Sequence, residues 1–210
     1  MANPEKFRFY ALWLSLICIV VFILQNIFSG FTDLFLLTPE AVPEIWRFLT
    51  SIFLHGDITH LLFNLFALAL FGSILEKFIG GKKFLLVFFA SGIFANLIAV
   101  NFYSASLGAS GAIYGILGCL VIIKPLMMVW AFGFPMPMFI AGILWTAGSV
   151  LGIFMPSNIG HVAHLSGIAI GLLLGIIYRI SMRGNRQRER KIEISEPDMR
   201  SWEHRYIIRR

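Results

Sequence analysis

The feature that most constrains this chain is a series of long apolar runs almost free of Asp, Glu, Lys and Arg. Residues 9–28, 58–79, 84–102, 138–154 and 160–180 each approach the roughly 20 apolar residues that a helix needs to cross a bilayer. A sixth run, 110–123, is shorter and closes at Lys124-Pro125. The chain is 58% hydrophobic and 13% charged, with a mean hydropathy of +0.82. Water-soluble domains carry about 25% charged residues, so this is the composition of an all-α, multi-pass membrane protein. No secretory signal peptide is expected, because the first run is too long and lacks a small-residue cleavage site.

Between the runs lie segments of different character. Residues 29–57 hold Thr32, Asp33, Pro39, Glu40, Pro43 and Glu44 among apolar patches, which predicts an ordered interfacial loop. Trp46 and Arg47 within it suit a membrane-interface anchor. Gly80-Gly81-Lys82-Lys83 predicts a tight basic turn, 103–107 a short uncharged loop, and 127–137 an irregular apolar link. A turn is expected at Met155-Pro156-Ser157-Asn158. The division expected is a six-helix membrane domain over 1–181 and a charged tail over 182–210. Lys6, Arg8, Lys77, Lys82, Lys83, Lys124 and Arg183, Arg186, Arg188, Arg190 and Lys191 fall on one side, and Arg47 on the other. By the positive-inside rule both termini are cytoplasmic. The net charge of +6 is then a topology signal or an anionic-lipid contact, with no nucleic-acid partner implied. Cys18 and Cys119 sit inside apolar runs without metal spacing and read as buried thiols.

Helical rise places the polar residues of three runs at one depth. Ser110 lies 14 residues from Lys124, roughly 21 Å, and His164 lies 15 from Arg179, roughly 22 Å. Asn64 and His60 lie 12 and 16 residues from Glu76, roughly 18 and 24 Å. Small-residue pairs four apart, Gly111/Gly115 and Gly167/Gly171, let the fourth and sixth helices approach closely. Taken singly, a Gly-x-Ser-Gly stretch reads as packing, Asn64 as interhelical glue and Tyr114 as core. Coincidence at one depth favours chemistry.

A serine needs a base to take its proton, and His164 is the candidate. No Asp or Glu occurs in the later runs, so the expected arrangement is a Ser–His dyad. Tyr114, at i+4 from Ser110, is placed to stack on or orient the imidazole. The Ser110 amide at a helix start, the Asn64 side chain and the His60 imidazole are candidate donors for an oxyanion. Gly108 and Ala109 keep the approach to Ser110 open. His55 is expected as a cap or loop contact at the end of the second helix, and His161 as a pore-mouth or interface residue. No metal site or cofactor is expected.

Four motifs in order resemble the rhomboid family of intramembrane serine proteases. They are Trp46-Arg47, then His55-Gly-Asp-Ile-Thr-His60 with Asn64, then Gly108-Ala109-Ser110-Gly111 with Tyr114, then Ala163-His164 with Gly167 and Gly171. The resemblance implies a six-transmembrane-helix rhomboid bundle, with Ser110 as nucleophile and His164 as base. It implies His60, Asn64 and the Ser110 amide as the oxyanion hole. Transmembrane protein substrates would be cut near the outer face of the cell membrane. It also implies the compact form of the family, with no large soluble domain at either end and no seventh helix. A membrane helix hides its peptide bonds in its own hydrogen bonds, so the substrate must unwind locally. The fifth helix and the loop before the sixth are candidate gates, because Pro135, Pro137 and Pro156 loosen that side. The alternative is a catalytically inactive rhomboid-like protein that binds membrane clients. The tail is left open among anionic lipid, a partner and no role.

Overall fold

The computed structural model describes residues 8–155, 159–190 and 196–207. Lys6, the Pro156-Ser157-Asn158 turn and Lys191 lie outside the described residues, as do the side chains of Arg186, Arg188 and Arg190. The chain forms two compact units, Met1–Ile176 and Ile177–Arg210.

The described chain is mainly helical. It runs α1 (Tyr10–Ile27), α2 (Phe31–Phe35), α3 (Arg47–Thr50), α4 (Ile58–Ile79), α5 (Gly81–Ala99), α6 (Ser110–Ile123), strands β1 (Met128–Ala131) and β2 (Phe134–Pro137), α7 (Met138–Gly152), α8 (His161–Arg190) and α9 (Glu196–Tyr206). Among the described residues, α1, α4, α5 and the stretch His161–Gly184 of α8 are long and apolar enough to cross a membrane. Helices α6 and α7 are equally apolar but only 14 and 15 residues long. Large apolar side chains such as Trp13, Phe63, Phe66 and Ile143 stand exposed. In water they would be a liability, but facing lipid they are not.

Helix α6 is the centre of the first unit, and its small residues explain why. A Cβ added at Gly167 would collide with the Gly111 carbonyl, and one at Gly171 with the Gly115 carbonyl. On the other side Ser91 of α5 seats against Gly115, and Gly92 lies against Ala112. The backbones therefore approach as the small-xxx-small spacing predicts. A short helix suffices here because α6 is enclosed by protein for most of its length.

Helix α4 starts where Asp57 accepts the His60 amide at 2.8 Å, a side-chain N-cap. It carries a π-helical segment at Leu68–Gly72, the wider turn that brings Phe71 inward. Near its far end Glu76, 1% exposed, accepts the amides of Arg8 and Ala11 at 3.1 and 3.2 Å. A carboxylate on α4 thus satisfies donors at the start of α1, which lacks a side-chain cap of its own.

Several local expectations are corrected. The 127–137 link is a regular antiparallel hairpin, with Met128 opposite Pro137 and Trp130 opposite Pro135. Pro135 and Pro137 therefore sit in ordered β structure, where an edge strand tolerates the missing N–H. At Gly80–Lys83 only Gly80, at φ 84°, makes the turn; Gly81 already begins α5. The third run ends as helix at Ala99. Helix α8 continues to Arg190, past the end of its apolar run at 180, because charge ends a membrane segment without breaking a helix. Arg47 is turned into its own loop. Its guanidinium donates to the Leu36 carbonyl at 2.8 Å, to the Asp33 carbonyl, and to Glu44 at 2.9 Å. Trp46 stays half exposed, as an interface residue would. Cys18 and Cys119 are buried free thiols.

In the second unit, Arg200 and Glu196 pair at 3.5 Å on exposed side chains, and Trp202 packs on Tyr206 one turn away.

Candidate active site

Ser110 is the first residue of α6, and His164 lies one turn into α8. The glycine contacts between these helices bring the His164 Nε2 to 2.9 Å from the Ser110 Oγ. His164 is 7% exposed, and its Nδ1 has no hydrogen-bond partner in the described structure. With Ser110 donating to Nε2, the neutral ring carries its proton on Nδ1. Among the described residues no carboxylate orients the imidazole. Its plane is fixed instead by Tyr114, whose ring stacks on it with centroids 4.0 Å apart and planes 8° apart. The His161 ring lies edge-on to the imidazole, with centroids 6.0 Å apart.

The start of α8 is held by a contact that none of the sequence motifs announces. The Val162 amide donates to the Tyr103 hydroxyl at 3.0 Å, and Tyr103 packs on a cluster of Ala95, Ala99 and Ala163. A tyrosine in a short interhelical loop carries no signal by itself. Gly152 on α7 likewise leaves no room for a Cβ beside the His161 ring.

The expected oxyanion donors gather around the same place. The backbone ladder of α6 begins with the Ile113 amide bonded to the Ala109 carbonyl at 3.0 Å, so the Ser110 amide lies ahead of it. Gly108 has φ 109°, and an added Cβ would stand 2.7 Å from the His60 Nε2. This glycine therefore serves to seat His60 beside the serine loop, as well as to keep the approach open. Asn64 is buried, and one amide hydrogen is committed to the His60 carbonyl at 2.8 Å, leaving the other to donate. The cap of α4 is Asp57, so His55 is a contact residue and not the cap. The His55 Nδ1–H donates to the Phe53 carbonyl at 3.2 Å, and its ring packs edge-on to His60 at 5.1 Å. Burial and the neighbouring His60 pull the His55 imidazole down to about 4.

A cavity of about 1260 Å³ opens in front of the pair, lined by Ser110, His164, Tyr114, His60, Asn64 and His161 among others. Trp46 and Arg47 do not line it. Gly167 and Gly171 act from behind, through packing. Among the described residues no three His, Cys, Asp or Glu side chains gather as metal ligands. The arrangement offers a serine hydroxyl, a base, several donors and a cavity in front of them, which is what acyl transfer needs.

The chain matches the family model of the Rhomboid domain over residues 42–181. It is 38% identical over 140 residues to the rhomboid protein YdcA of Bacillus subtilis, covering 65% of this chain and 69% of that one. It is 28% identical over 190 residues to the chloroplastic Rhomboid-like protein 11 of Arabidopsis thaliana, covering 82% and 66%. It is 29% identical over 175 residues to the rhomboid protease GlpG of Haemophilus influenzae, covering 78% and 88%. The family model spans α4 to α7, the apolar part of α8 as far as residue 181, and both Ser110 and His164, and this multi-pass membrane chain belongs to the rhomboid family.

Proposed function

We propose that this chain is an intramembrane serine protease of the cell membrane. It would cut transmembrane segments of other proteins with a Ser110–His164 dyad. The observation that carries the reading is the 2.9 Å approach of Nε2 to Oγ inside a cavity, with Tyr114 stacked on the imidazole. In this reading α1, α4, α5, α6, α7 and α8 all cross the bilayer, both termini face the cytoplasm, and 1–181 is the membrane domain. The basic residues on one side support that orientation.

His164 takes the Ser110 proton on Nε2 as Oγ attacks the substrate carbonyl. The Ser110 amide, the free Asn64 amide hydrogen and the His60 ring face the developing oxyanion. His164 then gives its proton to the leaving amine, and water repeats the cycle on the acyl-enzyme. Removing one oxyanion donor typically costs about 100- to 1,000-fold in rate.

The test is cleavage of a single-span reporter in liposomes by wild type, Ser110→Ala and His164→Ala, with fluorophosphonate labelling of Ser110 in parallel. Loss of cleavage and of labelling in Ser110→Ala is expected. Equal cleavage by all three would sink the dyad. Binding of the reporter without cleavage by wild type would favour a client-binding role.

A further inference from the structure

The cavity has two chemically different ends. Around Ser110 it is lined by polar groups such as Asp57, His60, Asn64 and His161. Its other end is lined by Leu117, Phe71, Leu144, Trp145 and Phe132. Leu117 lies seven residues beyond Ser110 on α6, roughly 10 Å deeper. The dyad chemistry uses none of these apolar side chains.

Phe132 is the unusual member. It is the first of two turn residues, Phe132 and Gly133, that join β1 to β2, with φ of 54° and 83°. Two positive φ values in a two-residue hairpin define a turn that favours Asn-Gly. A bulky aromatic at the first position is strained by about 1–2 kcal/mol, and such strain concentrates at functional sites. Along β1, Val129 and Ala131 are buried while Met128 and Trp130 face outward. Contact with lipid is already supplied by those outward residues and needs no strained turn. Phe132 stays 57% exposed, and its ring meets Trp145 of α7, with centroids 5.7 Å apart, while Trp145 meets Phe71 of α4 edge-on at 5.6 Å. Three rings thus join the hairpin tip, α7 and α4 at the apolar end of the cavity.

We infer that Phe132 is a substrate-positioning residue whose ring receives an apolar side chain of the membrane-spanning substrate, away from the bond attacked at Ser110. The roughly 10 Å between the two ends corresponds to about three residues of extended chain. This rests on the protease reading, because the occupant is the unwound part of the segment being cut. The hairpin then selects substrates by the side chains beyond the cut, on the same cavity wall that α4 and α7 provide.

Phe132→Asn suits the turn and removes the ring, so folding is preserved or improved. The readout is the ratio of reporter cleavage to fluorophosphonate labelling of Ser110, compared with wild type. A drop of roughly ten-fold is expected for a reporter with a large apolar residue three positions past the cut, as for loss of one aromatic contact. A reporter with Ala there should show little drop. Equal ratios for both reporters would overturn the inference. In a Ser110→Ala background, a photoreactive phenylalanine analogue at position 132 should cross-link to the reporter; cross-linking to lipid only would also overturn it. Failure of the protease reading is separately visible, as absence of labelling and cleavage in wild type.

Discussion

The imidazole of His164 lies flat on the ring of Tyr114, 4.0 Å away, while its Nε2 points to Ser110. In a site with no carboxylate on Nδ1, this stack is the main restraint on the imidazole plane. Tyr114→Phe should keep the stack and most of the cleavage activity. Tyr114→Ala should lower kcat by up to about 100-fold, the scale of an ångström of misplacement, with a smaller effect on KM. Reporter kinetics for the two variants decide it; equal loss in both would mean that the hydroxyl is the working part.

Close packing of α6 on α8 should be the condition for that geometry. Gly167→Ala drives a methyl into the Gly111 carbonyl. Overpacking of this kind typically costs about 1–3 kcal/mol, and here the obstacle is backbone. Unfolding in detergent should show the loss, and fluorophosphonate labelling of Ser110 should fall with it. Gly148→Ala, on α7 with open space around its Cβ position, should be far milder.

Glu76 should matter for stability although it is distant from the candidate site. Glu76→Ala leaves the part-buried Arg8 amide and the buried Ala11 amide without their acceptor, and the buried one alone costs about 1–3 kcal/mol when unsatisfied. Glu76→Gln retains one acceptor oxygen and should lose less. Thermal unfolding in micelles measures both; a wild-type melting temperature for Glu76→Ala would show that α1 is not held from α4.

His55 predicts an acid-side weakness. Folding holds this buried imidazole neutral down to about 4, against an ordinary 6.5, through burial and the adjacent His60, with the Phe53 carbonyl and Asp57 opposing. Between those values the unfolded chain binds the extra proton. The stability is therefore fully present above about 6.5 and is lost as the pH falls toward 4, by at most about 3 kcal/mol. The difference in unfolding free energy between wild type and His55→Asn should narrow over that window. A constant difference would remove His55 as the cause.

Much of the fold was legible because each helix declares itself locally. A bilayer demands about 20 apolar residues in a row, and four such runs are helices here, with α6 beginning at Ser110 as expected. Helical rise by itself placed Ser110, His164, His60 and Asn64 at one depth, and small-xxx-small spacing paired α6 with α8. Tertiary structure decided what depth leaves open. Depth fixes height and not azimuth, so only packing could lay the His164 ring on Tyr114 with its Nε2 at Ser110. The same limit hid Tyr103 at the start of α8, Arg47 turned into its loop, and Glu76 reaching α1. The hairpin is not legible in the sequence because its four-residue strands are too short for a period to emerge from apolar sequence, and its turn carries Phe132 where Asn is the usual signal. Periodicity and length are properties of neighbours along a chain, whereas a ring stack, a cap supplied in trans and a cavity floor are relations between segments. Close packing alone creates those relations.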